Sequence, residues 1–161
     1  MNSLSHFDAD GHPHMVDISE KTATKRTAVA SCIVEMAAET LDLIKNDQIQ
    51  KGNVVEVARI AAIMASKRTP DLIPMCHPIR IDSVDVRFNY VSDTQIRISG
   101  TVKALETTGT EMEAITAVSV GAMVVYDMCK SVDRGIRILA IQLEEKSGGK
   151  SGHFLRQSET E

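Results

Sequence analysis

Hydrophobic and polar residues alternate over residues 84–90, where Val84, Val86, Phe88 and Tyr90 interleave with Asp85, Arg87 and Asn89. A period of two puts every second side chain on one face of an extended chain, so this segment predicts a half-buried β-strand. Residues 96–102 repeat the pattern with Ile96, Ile98, Gly100 and Val102, and the intervening Val91-Ser92-Asp93-Thr94 predicts a hairpin turn. Residues 136–143 are apolar on both faces and read as another strand. The Val, Cys and Ile content of residues 27–36 reads the same way. Three segments predict helices. Residues 38–45 give a short one. Residues 53–67 open on Asn53, a good N-cap residue, and are rich in alanine. Residues 111–130 follow Thr110, which with Glu113 has the spacing of a capping box.

Strand, two helices, two strands, helix, strand is the order of an α+β fold of ferredoxin-like type, an antiparallel sheet with helices packed on one face. The other sheet face is then unaccounted for, and Val, Ile and Leu residues there would favour burial against a second subunit, so an oligomer is expected. No repeat or linker divides the chain, which reads as one domain over residues 1–161. Residues 1–20 form an N-terminal surface segment without clear period, and residues 155–161 a polar tail.

A chain of 161 residues, 43% hydrophobic and 25% charged, is long enough to bury a core without disulfides. Its three cysteines, Cys32, Cys76 and Cys129, lack CxxC spacing and suit a reducing cytoplasm. The N-terminus has no signal-peptide apolar core, and the apolar stretch of residues 114–126 is too short to span a bilayer, so no membrane is expected. A net charge of −4 with 3% aromatic residues argues against nucleic acid. Basic residues gather only at Lys25-Arg26, at Lys67-Arg68, and at Lys146 and Lys150 around a glycine pair, a distribution that suits a small polyanionic ligand.

Three places carry candidate chemistry. In Asp71-Leu72-Ile73-Pro74-Met75-Cys76-His77-Pro78, each proline fixes its own φ and keeps the residue before it extended. The loop should therefore be stiff, aiming a thiol and an imidazole, or serving only as a rigid connector. Asp127 and Lys130 lie three apart on one helix face, where a partly buried carboxylate beside an ammonium can hold a lysine for proton transfer; a structural ion pair has the same spacing. Lys146-Ser147-Gly148-Gly149-Lys150-Ser151-Gly152 lets backbone N–H groups approach an anion, but Glu144 stands where a Walker loop needs glycine and no helix follows. Asp8-Ala9-Asp10-Gly11 lacks the rest of a calcium loop, and His12 and His14 lack further ligands, so no metal site is expected.

These segments occur in one order with His14-Met15-Val16-Asp17-Ile18-Ser19, Lys51-Gly52, Lys67-Arg68-Thr69, Thr110-Glu111-Met112-Glu113-Ala114 and Tyr126-Asp127-Met128-Cys129-Lys130. Together they resemble the cyclic pyranopterin monophosphate synthase family of molybdenum-cofactor biosynthesis, from about His6 to Phe154. Met75 stands where the family usually has Leu, and Thr110 where Val is common. The resemblance implies a hexameric ferredoxin-like lyase, a trimer of dimers, acting on 3',8-cyclo-7,8-dihydroguanosine 5'-triphosphate and releasing diphosphate. It implies Lys51 and Lys130 as acid/base residues of lowered pKa, with Asp127 orienting Lys130 or acting itself. It implies Met75, Cys76, His77, Glu111, Met112 and Glu113 as substrate contacts, and Arg26, Lys67 and Lys146 as cations for the triphosphate. No cofactor is firmly implied, and Mg2+ with the triphosphate is left open. A ligand-binding regulatory module and a nucleotide hydrolase are the alternatives. Glu113 and Asp127 lie about 21 Å apart along one helix, which favours a site shared across a two-fold axis.

Overall fold

The central strand of the sheet, β1 (Thr24–Glu35), buries Ala28, Ala30, Cys32 and Val34 completely, while Thr27, Val29 and Ile33 between them stay partly exposed. The computed structural model describes residues 10–150 and 152–157. The sequence readings that fall on residues 1–9, on Ser151 and on residues 158–161 lie outside them. β2 (Ser83–Tyr90) and β3 (Gln95–Glu106) form the expected hairpin, and β3 alternates like β1, burying Ile96, Ile98, Val102 and Ala104. β4 (Arg137–Ser147) pairs with the other side of β1, and β5 (Phe154–Leu155) pairs with β4. The sheet runs β2-β3-β1-β4-β5 with every neighbouring pair antiparallel.

Among the described residues, four helices accompany it: α1 (Ala38–Lys45), α2 (Val54–Ser66), the single turn α3 (Thr69–Leu72) and α4 (Glu111–Cys129). Asn53 caps α2 as expected, its side-chain oxygen accepting from the Glu56 N–H at 2.9 Å. α4 lacks the expected capping box. Thr110 turns its hydroxyl to the Val102 carbonyl, and burial holds Glu113 beside Cys76.

Small residues let α4 sit deep. A Cβ at Gly100 would lie 3.1 Å from Val118 Cγ1, and one at Gly121 would lie 3.4 Å from Ala62 Cβ. α4 therefore contacts β1, β3 and β4, and α2 packs against α4 and β2. Arg59 of α2 donates to the Val86 carbonyl and stacks over Phe88 at 5.3 Å. Although α4 is long and apolar enough by composition to cross a membrane, it is packed into this core.

The opposite sheet face is more polar than expected. Val29, Ile33 and Leu139 are interspersed with Ser31, Arg97, Ser99, Thr101 and Gln142. Part of this polarity surrounds Glu144, whose carboxylate accepts from Ser31 and Gln142 and lies 3.8 Å from Arg97. Exposed apolar side chains also lie on the helical layer, at Val57, Ile60 and Met64 of α2 and Met123 of α4.

β4 is irregular in a way its composition conceals. Ile33 pairs with Leu139 and Ser31 with Gln142, so Ala140 and Ile141 together oppose Cys32. Ala140 adopts φ +49, a left-handed conformation that favours glycine. Ala140→Gly should stabilise the protein by about 0.5–1 kcal/mol, because the relief of Cβ strain exceeds the entropy cost of glycine. The corresponding rise in Tm is about 1–4 °C in a thermal melt. A lower Tm would mean that the bulge does not strain alanine.

Candidate active site

The loop after α3 is stitched to the end of β3. The Cys76 N–H donates to the Ile73 carbonyl at 3.1 Å, Arg80 N–H to Glu106 Oε1 at 2.9 Å, and Leu105 N–H to Asp82 Oδ2 at 2.9 Å. Met75, Cys76 and His77 are consequently half-buried. The Cys76 thiol lies 3.7 Å from Glu113 Oε1. Glu113 is 1% exposed, and its Oε2 is the buried side-chain oxygen that lacks a partner among the described residues. Burial raises the Glu113 carboxyl above its ordinary range, and the nearby charge of Glu111 adds to the effect. Desolvation, then the Glu113 charge, pushes the Cys76 thiol up to about 11, which disfavours the thiolate.

Beside the N-terminal end of α4 lies a cavity of about 700 Å3 lined by Lys21, Arg26, Glu111, Lys146, Gly149 and Lys150, among others. Lys146 Nζ pairs with Glu111 Oε1 at 2.7 Å. Arg26 donates from Nε to the Glu106 carbonyl at 3.0 Å and from Nη2 to the Thr107 carbonyl at 3.1 Å, which holds its guanidinium at the cavity wall. The glycine loop fits closely around it. Gly149 has φ +77, and a Cβ there would fall 1.7 Å from Arg26 Nη1. This cavity suits a polyanion: several cations converge, and two of them are fixed by protein partners.

At the other end of α4, Asp127 is shared by two lysines. Lys51, from the loop before α2, donates to Asp127 Oδ2 at 3.1 Å and to its carbonyl at 2.7 Å, while Lys130 reaches Oδ1 at 2.7 Å. All three side chains are exposed. Hydrogen bonds from Lys130 and Lys51 hold the Asp127 carboxyl below its ordinary range, and the bond to Asp127 holds Lys130 above its own. The expected lowering of the Lys130 pKa is therefore reversed in this chain. Its pairing with Asp127 outweighs desolvation, since this end of the helix is open to water.

The described residues contain no group of three or more His, Cys, Asp and Glu side chains that could hold a metal ion. The model of the MoaC family matches this sequence over residues 15–149. This chain belongs to the MoaC family. The cyclic pyranopterin monophosphate synthase of Desulfitobacterium hafniense is 52% identical to it over 154 residues, covering 96% of this chain and 94% of the relative. The protein of the same name from Desulforamulus reducens is 52% identical over 161 residues, covering 100% and 98%. That from Magnetococcus marinus is 49% identical over 160 residues, covering 99% and 98%.

In this MoaC-family chain, the residues singled out from sequence, Lys67 excepted, fall at the two ends of α4. Arg26, Glu111 and Lys146 line the cavity, while Glu113 and Met112 start the helix and Met75, Cys76 and His77 stand in the adjoining loop. Lys51, Asp127 and Lys130 form the distant cluster. Lys67, the C-cap residue of α2, is exposed and does not line the cavity. Lys21 and Lys150 do line it. Neither was selected from sequence as a site residue: Lys21 sits in a segment without periodicity, and Lys150 was read only as part of a basic cluster.

The raised Glu113 carboxyl gives stability a pH dependence. The folded chain keeps a proton on Glu113 at pH values where the unfolded chain has released it, so stability falls as pH rises from the unfolded value through the folded one. Glu113→Gln removes this contribution. Its Tm, followed from about pH 4 to about pH 8, should fall less steeply than that of the unsubstituted protein. Parallel profiles would show that Glu113 ionises in the folded chain without penalty.

Proposed function

We propose that this protein is a lyase that converts 3',8-cyclo-7,8-dihydroguanosine 5'-triphosphate into cyclic pyranopterin monophosphate and diphosphate, an early step of molybdenum-cofactor biosynthesis. The observation that carries this reading is 52% identity to a cyclic pyranopterin monophosphate synthase along the whole chain. The strand order β2-β3-β1-β4, with helices between β1 and β2 and between β3 and β4, supports the ferredoxin-like reading of the fold. Cys32 and Cys129 are buried free thiols, which suits a reducing cytoplasm.

The triphosphate belongs in the cavity of Lys21, Arg26, Lys146 and Lys150, where charge-assisted hydrogen bonds compensate its desolvation. Glu20 and Glu111 are the carboxylates lining that cavity, and they are the residues that would hold a Mg2+ ion carried in with the phosphates. The guanine-derived edge belongs against Glu113 and the Met75-Cys76-His77 loop, with Met112 beside it. The unpartnered Oε2 of Glu113 is a hydrogen-bonding group prepared for a ligand atom. Ring opening and reclosure need protons moved between nitrogen and oxygen, and Lys51 and Lys130 are the groups to move them, with Asp127 holding both. Closing the cyclic phosphate joins a sugar-derived oxygen to the α-phosphorus and breaks the bond to the β-phosphate bridging oxygen. The proton of the attacking hydroxyl passes to the base, and diphosphate leaves.

In the single chain both lysines are exposed, and Asp127 favours the charged form of Lys130. A lysine that must release a proton needs this cluster covered. A second copy of the chain supplies the cover, and the exposed Val57, Ile60, Met64 and Met123 offer it an apolar surface on the same helical layer. A two-fold axis that brings one subunit's Asp127 end to the other's Glu113 end completes two sites at once. Three such dimers give the hexamer that the family resemblance implies.

Incubation with the cyclised triphosphate should yield the pterin monophosphate and diphosphate by mass spectrometry. Lys51→Met and Lys130→Met should each lower turnover by about 10²–10⁴-fold, while Lys103→Met, on an exposed strand position, should not. Normal turnover in either site variant removes that lysine from the mechanism. The shared site is tested by mixing inactive Glu113→Gln and Asp127→Asn subunits after reversible dissociation. Activity should return, because some interfaces then contain two intact halves. Mixed oligomers that stay inactive would place the whole site within one chain.

A further inference from the structure

The polar tail expected from sequence begins with a strand. β5 is two residues long and pairs Leu155 with Glu145 and Phe154 with Lys146. Its side chains do not anchor it, since Phe154 is 39% exposed and Leu155 is 63% exposed. A strand this short, with its side chains in water, is held by hydrogen bonds and ion pairs or not at all. Arg156 makes several of them. Its N–H donates to the Glu144 carbonyl at 2.8 Å, its Nε to the Leu143 carbonyl at 2.8 Å, and its guanidinium lies 3.8 Å from Glu144 Oε2. His153 Nε2 adds a contact to Glu145 Oε1 at 2.8 Å.

Glu144 is itself firmly placed. It is the extra residue at the second irregularity of β4, between Glu145 opposite Val29 and Leu143 opposite Ala30. Ser31, which is 3% exposed, and Gln142 both donate to its Oε1, and Arg97 lies 3.8 Å from the same oxygen. Burial alone would raise the Glu144 carboxyl, but these bonds and charges hold it below the ordinary range, so it presents a full charge to Arg156. Arg156 is thereby tied to the centre of the sheet through Ser31 of β1.

What β5 restrains is the phosphate cavity. Lys146, whose backbone pairs with Phe154, extends its side chain to Glu111 in the cavity, and Gly149 lies against Arg26 between the two paired arms. We propose that β5 is a clamp that positions Lys146 and the glycine loop for the phosphate chain, with Arg156 as its positioning residue although Arg156 does not line the cavity. This rests on the reading of the cavity as a triphosphate site.

The test uses inorganic diphosphate as the probe, titrated calorimetrically into the full-length protein, Arg156→Ala, Arg156→Lys and Lys146→Ala. Arg156→Ala should bind diphosphate roughly tenfold more weakly and raise the KM of the cyclised triphosphate to match, with kcat within about twofold, because the chemistry lies elsewhere. Arg156→Lys, which keeps the charge facing Glu144, should recover part of the loss. Hydrogen exchange at the amides of β5 should quicken in Arg156→Ala, while Tm should barely move because β5 buries little. If Lys146→Ala loses diphosphate and Arg156→Ala binds it as tightly as the unsubstituted protein, the clamp is overturned and the phosphate site stands. If the unsubstituted protein does not bind diphosphate, the phosphate site falls and the clamp falls with it.

Discussion

The depth at which α4 settles into the sheet governs the rest of the molecule. Gly100 below it and its own Gly121 remove the side chains that would hold it off, and Ala58, Ala62, Ala114 and Ala117 keep the seams thin. Each Val or Ile buried by that approach contributes roughly 1.5–3 kcal/mol, and Ile96, Ile98, Val118 and Val125 are all fully enclosed. The same approach carries Glu113 into the interior. A carboxyl in the first turn of a shallower helix would reach water and titrate normally, so the unusual acid of the site follows from the small residues that seat the helix.

Two carboxylates on one helix thus acquire opposite characters. Burial holds the Glu113 carboxyl above its ordinary range, and two ammonium groups hold the Asp127 carboxyl below its own. Environments that separate the protonation of like groups are a common basis for dividing acid, base and recognition roles within a site. Here the separation arises along a single helix, from one end being enclosed by β3 and the proline loop and the other lying open.

Much of the fold is visible in the chain because most elements have one buried and one solvated face. Alternation over residues 84–90 and 96–102 marks β2 and β3, and the alanine-rich residues 53–67 mark α2 within a residue at each end. β4 is recognisable only as an apolar run, since Ala140 and Glu144 each break its alternation. β5 leaves no signal: two exposed residues bury nothing for a pattern to record. Thr110 and Glu113 have capping-box spacing, but a buried neighbour captures each side chain, an outcome local sequence cannot foresee. The site divides similarly. The proline loop and the Asp127–Lys130 pair are local and legible. Lys51 joins Asp127 across 76 positions, and Lys21 reaches the cavity from an aperiodic segment, so only the assembled chain or a motif resemblance places them.

α4 sets an angle as well as a separation. Each residue turns an α-helix by about 100°, so one residue inserted between Gly121 and Asp127 would swing Asp127 about a quarter-turn away from Lys51 while leaving Glu113 seated. Seven inserted residues would nearly restore the angle but would lengthen the helix by about 10 Å and carry Asp127 past its partner altogether. No insertion satisfies both conditions. Length variation in this architecture is confined to its turns, such as residues 91–94, and the long helix must keep its residue count for its two ends to remain in phase.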